Sequence, residues 1–203
     1  MKTYRINEIF LSLQGEGIFA GVAAVFVRFS GCNLKCPFCD TDFESYDSLS
    51  ASEVKDRIYE ACGENPLPSI CVLTGGEPTL QADKDLVDVL HDMGMQVNIE
   101  TNGTNKIQED IDYITVSPKS PFIGRAELNI SKANEVKVIM TDDISVEEIR
   151  SFERIHADWY FIQPCDTGNV EVNQCIMQRC VEFVKYHPNW RLSLQQQKIL
   201  KIR

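Results

Sequence analysis

At 203 residues, 43% of them hydrophobic, the chain has enough apolar material for one globular domain with a real core. Its formal net charge of −10 argues against nucleic acid or an anionic membrane as a partner, although a local basic patch could still bind one small anion. The start, MKTYRINEIF, has no basic segment leading into a long apolar run, and no apolar stretch is long enough to span a bilayer, so a cytoplasmic location is expected.

In chain order, LQGEG (13–17) comes first, as a polar, glycine-rich loop ahead of the first expected strand. AAVFVRFS (23–30) is β-branched and aromatic and is predicted as that strand. A cysteine-rich loop follows. Ser50 and Glu53 then stand at capping-box spacing before a helix whose apolar positions are Val54, Ile58 and Ala61. SICVLT is a buried strand, and DKDLVDVLHDMG an amphipathic helix closed by Gly94. QVNIE, YITVS, EVKVIM, DWYFIQP and WRLSL are further strands. SVEEIRSFERIH and VNQCIMQRCVEFVKYH are further helices.

Strands alternating with helices predict an α/β fold with a parallel sheet and right-handed crossovers. About six core strands are too few for an eight-fold barrel, so a partial, reduced TIM-like barrel is expected. The cysteine loop, TGGEP, ETNGT, SPKSP and QPCD all follow the C-terminal ends of strands, the edge where parallel α/β folds bind ligands. The whole chain, 1–203, is expected to be a single domain, with the N-terminal loop 1–21 and the tail 190–203 contributing to a substrate pocket.

The stretch SGCNLKCPFCDT places Cys32, Cys36 and Cys39 in a C-x3-C-x2-C pattern. In a reducing compartment, thiols bind metal or react more often than they form disulfides. Thiolates suit iron–sulfur clusters or zinc. A structural zinc site wants four protein ligands, and no histidine lies in the loop. Cys62, Cys71, Cys165, Cys175 and Cys180 form no second C-x2-C pair and are expected to be small core residues. Three thiolates on a four-iron cube leave one iron open for a small molecule. A zinc loop with a distant fourth ligand is the alternative. Arg28 is an arginine in an apolar strand, costly unless paired. Its fork suits a substrate carboxylate, or else a structural salt bridge. The Thr41 hydroxyl is a candidate ligand for a hard cation such as Mg²⁺.

C-x3-C-x2-C with Phe38 just before the last cysteine, followed by GGEP, resembles the radical S-adenosylmethionine superfamily. There the open iron is chelated by S-adenosylmethionine, whose one-electron cleavage yields a 5′-deoxyadenosyl radical. The wider set LQGEG, FVRFSGCNLKCPFCDT, TGGEPTL, ETNGT, SPK and QP resembles, nearly end to end, the family of 7-carboxy-7-deazaguanine synthases. The resemblance implies a lyase of 7-deazapurine (queuosine precursor) biosynthesis that contracts the ring of 6-carboxy-5,6,7,8-tetrahydropterin with loss of ammonia. It implies a [4Fe–4S] cluster, S-adenosylmethionine and Mg²⁺ as cofactors. It also implies an electron donor such as flavodoxin or ferredoxin, and a homodimer.

Carried over by motif, Cys32, Cys36 and Cys39 would hold the cluster and Thr41 the Mg²⁺. Phe38, Cys39, Asp40, Gly76, Ser117, Pro118, Lys119 and Gln163 would contact S-adenosylmethionine. Leu13, Gln14, Gly15, Arg28, Thr74 and the terminal carboxylate of Arg203 would meet the pterin. Members of that family often end near SLQTHK, whereas this chain has SLQQQK, with Gln196 and Gln197 in place of Thr-His. An amide at 197 still hydrogen-bonds but cannot carry a proton as imidazole can. Two other classes stay open: an activase of the same superfamily that places a glycyl radical on a partner protein, and a metal-stabilised binding or electron-transfer module.

Overall fold

The computed structural model describes residues 2–39, 45–108, 110–124 and 126–203. Strand β1 (Tyr4–Leu13) pairs antiparallel with β2 (Ala23–Phe29). A short β3 (Asp47–Leu49) lies on the outer side of β1. From β2 onward the sheet is parallel, through β4 (Ile70–Gly75), β5 (Gln96–Thr101), β6 (Tyr113–Val116), β7 (Glu135–Met140), β8 (Trp159–Pro164) and β9 (Trp190–Leu192). The order is β3-β1-β2-β4-β5-β6-β7-β8-β9, and among the described residues no pairing joins β3 to β9. This is the partial barrel expected.

The helices are α1 (Ala51–Cys62), α2 (Lys84–Asp92), α3 (Val146–Ser151), α4 (Val170–Tyr186) and α5 (Gln196–Leu200). The predicted capping box is present: the Glu53 amide donates to the Ser50 hydroxyl, and the Glu53 carboxylate accepts from the Ser50 amide. The helix buries Val54, Ile58 and Cys62, so Cys62 rather than Ala61 completes its apolar stripe. Gly94 follows the last turn of α2 at φ 77°, as a residue in that place should. The crossovers β5–β6 and β6–β7 carry no helix among the described residues, which accounts for the reduced size.

Strand β1 was not foreseen, and LQGEG therefore follows a strand rather than preceding the first one. The reason is a bulge between Ile6 and Glu8 that shifts the register against β2. Before it, Tyr4 and Ile6 face the helices. After it, Ile9 and Leu11 do so, and Glu8 and Phe10 turn to the inner face. The two-residue alternation changes phase mid-strand, so the sequence shows no clean period.

Two apolar clusters lie between sheet and helices, one under α1 and α2 and the other under α3 and α4. On the inner face Phe10, Ala24, Phe26, Ile70 and Val72 form an apolar floor, with Phe10 and Phe26 stacked at 5.0 Å. Above it the same alternating positions become polar: Arg28, Thr74, Glu100, Thr115, Lys137 and Gln163. That change from apolar floor to polar mouth positions the site.

Candidate active site

The mouth of the partial barrel holds two adjoining cavities. One, of about 550 Å³, is lined by Cys32, Cys36 and Cys39 on one side and by Gly76, Ser117, Lys119 and Gln163 on the others. The second, of about 630 Å³, is lined by Leu13, Gln14, Gly15, Arg28 and Arg203. Glu16, Thr74, Glu100, Gln195 and Lys198 line both. Each volume is in the range of a small-molecule site.

The thiols occupy the loop after β2. The Leu34 amide donates to Cys32 Sγ at 3.4 Å, and the Cys39 amide donates to the Cys36 carbonyl at 3.2 Å. Burial pushes the Cys32 thiol up, with the Leu34 amide opposing and Glu77 and the other two cysteines adding to the rise. Burial also raises Cys36, against the opposing charge of Lys119. Among the described residues, no three Cys, His, Asp or Glu side chains gather as the ligands of one ion would. Three thiols lining one cavity suit a multi-iron cluster, where each takes its own iron, better than a single zinc, which wants four protein ligands about one ion. The donor chemistry therefore fits the cluster, and the open side of the cavity leaves room for a ligand on a fourth iron.

GGEP, after β4, is built to abut this loop. Gly75 has φ 109°, and a Cβ there would overlap the Phe29 backbone. A Cβ on Gly76 would overlap the Gly31 carbonyl, just before Cys32. Glu77 is buried at 1% exposure and accepts from Thr101 Oγ1 at 2.7 Å and from the Asn102 amide at 2.8 Å. Its own amide donates to the Gly31 carbonyl at 2.9 Å. Glu77 thus ties TGGEP to ETNGT through its carboxylate and to the start of the cysteine loop through its amide. Lys119 donates to Ser117 Oγ at 2.7 Å and lies 5.5 Å over the Phe38 ring, which packs edge-on against Phe122.

In the second cavity, Gln14 Nε2 donates to Glu100 Oε1 at 3.0 Å and Thr74 Oγ1 donates to Glu100 Oε2 at 2.9 Å. Arg28 Nε donates to Glu8 Oε1 at 2.8 Å, so the salt bridge anticipated for it exists, within the cavity wall. The tail folds back onto LQGEG: the Gln196 amide donates to the Gly15 carbonyl at 3.0 Å, and Gln195 and Gln197 both donate to Glu16 Oε1 at 3.1 Å. Glu16 also pairs with Lys137.

Most of the residues singled out from sequence come together here. Pro118 is buried and is not part of either cavity wall, and Asp40 and Thr41 lie outside the described residues. Cys62, Cys71, Cys165 and Cys180 are core residues as expected, Cys165 also lining the first cavity, but Cys175 is exposed. Sequence reasoning missed Glu16, Glu100, Thr115 and Lys137. For Lys137 the signal was available: like Arg28, it is a charged residue between two apolar neighbours of a strand.

A parallel, unclosed barrel with three thiols of a C-x3-C-x2-C loop at its C-terminal mouth defines a radical S-adenosylmethionine enzyme. Residues 26–156 match the Radical SAM superfamily. Over 200 residues the chain is 44% identical to the 7-carboxy-7-deazaguanine synthase of Bacteroides thetaiotaomicron, covering 98% of both chains. It is 39% identical over 221 residues to that of Bradyrhizobium diazoefficiens, covering 99% of this chain and 100% of the other. The crystal structure of QueE from Escherichia coli superposes with a TM-score of 0.75 at 27% identity, covering 95% of this chain and 94% of that one. The chain belongs to the radical SAM superfamily and, within it, to the family of 7-carboxy-7-deazaguanine synthases.

Proposed function

We propose that the chain converts 6-carboxy-5,6,7,8-tetrahydropterin to 7-carboxy-7-deazaguanine with loss of ammonia. The observation that carries this is the pair of adjoining cavities, one with three thiols and the other with Arg28, joined along Glu16, Thr74 and Glu100. When bound, a [4Fe–4S] cluster and S-adenosylmethionine supply one-electron cleavage of the sulfonium and abstraction of a substrate hydrogen. Cys32, Cys36 and Cys39 hold the cluster in this reading. Gly76 brings backbone edge, and Ser117, Lys119 and Gln163 bring polar side chains, to the cavity that takes S-adenosylmethionine. Thr41 as a ligand of Mg²⁺ belongs to the same proposal.

In the second cavity, Arg28 receives the substrate carboxylate through its guanidinium fork. Glu100, fixed by Gln14 and Thr74, presents carboxylate oxygens to the N–H groups of the pterin's amidine edge. The apolar floor of Phe10 and Phe26 lies beneath the ring and excludes water from that side. The shared walls support a reading in which the two ligands lie side by side, with a short path between reacting atoms.

The test is anoxic incubation of reconstituted enzyme with the tetrahydropterin, S-adenosylmethionine and a reductant. The expected products are 7-carboxy-7-deazaguanine and ammonia in equal amounts, with S-adenosylmethionine regenerated at each turnover. If 5′-deoxyadenosine forms only when a protein partner is added, the activase reading replaces this one. A colourless reconstituted protein with stoichiometric zinc would favour a binding module. A one-electron donor of the flavodoxin or ferredoxin type and a homodimer complete the proposal. Among the described residues, no helix is long and apolar enough to cross a membrane.

A further inference from the structure

The bulge that re-phases β1 sets Glu8 directly opposite Arg28 in the strand register. The Glu8 carboxylate then joins two guanidiniums: Oε1 accepts from Arg28 Nε at 2.8 Å, and Oε2 accepts from Arg203 Nη2 at 2.6 Å. Both guanidiniums lie over the Phe10 ring, at 5.6 Å and 5.4 Å. Arg203 reaches this position because the chain reverses after α5. Lys201 adopts φ 56°, the Ile202 amide donates to the Gln197 carbonyl at 3.0 Å, and the Ser12 hydroxyl donates to the terminal main-chain oxygen at 2.5 Å. Glu8, Phe10, Arg28 and Arg203 all line the second cavity.

We propose that the Arg203 side chain is a specificity-determining residue for the substrate carboxylate, forming with Arg28 a two-cation clamp that Glu8 holds in position. The inference rests on the pterin reading given above and deepens it. A guanidinium carries five N–H donors, and Glu8 takes one from each arginine, so donors remain on both for a second carboxylate. Among these three side chains, two positive charges face one negative charge, and an incoming carboxylate completes the balance. The Arg203 side chain is 71% exposed, so an anion entering from solvent can reach it. An exposed Arg–Glu pair alone contributes little to stability, so a contact made only for its own sake would leave no mark on ligand selectivity.

The experiment compares 6-carboxypterin with its 6-carboxamide as ligands of the cluster-loaded enzyme with S-adenosylmethionine, by calorimetry under anoxia. The wild-type protein should prefer the acid. R203Q keeps the length of the chain and its terminal carboxylate, and should lose about tenfold in affinity for the acid with none lost for the amide. R203K should recover part of that loss, and the difference between R203Q and wild type should shrink as salt is added. Equal weakening of acid and amide in R203Q would assign Arg203 to tail packing and overturn the proposal. An unchanged preference for the acid would overturn it as well, leaving the pterin reading intact. Failure of wild-type protein to bind either ligand would remove both.

Discussion

Glu16 and Lys137 form an ion pair at the seam between the two cavities, with only 14% and 7% of their side chains exposed. Lys137 also faces Glu100 and Glu135, so one ammonium serves three carboxylates. Burial by itself would raise the Glu16 carboxyl, but Lys137 and the amides of Gln195 and Gln197 outweigh it and hold the group at about 2. K137M should be the more damaging change, costing about 3–5 kcal/mol, because it leaves buried carboxylates with no counter-ion. The sign of the pH dependence follows from a depressed carboxyl: the stabilisation is present above the ordinary pKa of 4.5 and is lost as pH falls toward about 2. Urea titrations between pH 7 and pH 3 should show the wild-type protein losing stability steeply on the acid side, and E16Q losing less.

The second prediction concerns Gly15 and Gln197. The amide of Gln197 faces the Glu16 carboxylate through Nε2, and its Oε1 is buried with no hydrogen-bond partner among the described residues. That oxygen occupies the space a Cβ on Gly15 would need. G15A should push the tail off the N-terminal loop and raise KM for the pterin, with kcat less affected. Q197A removes the obstructing side chain, so the double variant should recover part of the loss. A double-mutant cycle on KM should give a coupling of about 1 kcal/mol; a value near zero would mean the tail does not rest on this contact.

These two pairs also show what the sequence made legible. The parallel strands of the barrel and the capped helices were readable because each carries one unbroken period. Arg28 was readable because a charge in an apolar strand stands out. Strand β1 was not, because its bulge splits the alternation between two faces. The pairing of Glu16 with Lys137 was not, because it joins positions 121 residues apart, although Lys137 on its own stands out as a charge between two valines of a strand. Gly76 was marked as a cofactor contact, and the structure gives it a second reason: close approach to the Gly31 carbonyl.

Separating the cavities by mutation is the third prediction. C36A removes a proposed cluster ligand and should abolish the iron absorption, the cleavage of S-adenosylmethionine and product formation together. R28A lies in the other cavity and should keep the cluster spectrum and slow, uncoupled release of 5′-deoxyadenosine, while pterin turnover falls by about 100-fold through loss of a charge-assisted contact. Its cost to folding should be small, since Glu8 keeps Arg203 as a partner. Thermal melts check this: collapse of R28A at low temperature would make the Glu8 salt bridge structural and withdraw Arg28 from substrate recognition.

Lys119 leads to the last prediction, about the cluster's potential. Its ammonium is pinned by the Ser117 hydroxyl and the Phe38 ring, and it shares the first cavity's wall with all three thiols. Burial draws the Lys119 ammonium below its usual range, and the thiols of Cys36 and Cys39 work against that draw. One-electron reduction of a thiolate-held cluster adds negative charge, and a fixed positive charge beside it favours the reduced form. K119M keeps most of the side-chain volume and removes the charge. The midpoint potential, followed by EPR during a mediated titration with dithionite, should fall. A tenfold change in the reduction equilibrium corresponds to about 59 mV for one electron, and a shift of that order is expected in the cofactor-free enzyme. An unchanged potential combined with weaker S-adenosylmethionine binding would confine Lys119 to holding the cofactor. An unchanged value for both would make it a solvated loop charge whose contact with Phe38 has no functional consequence.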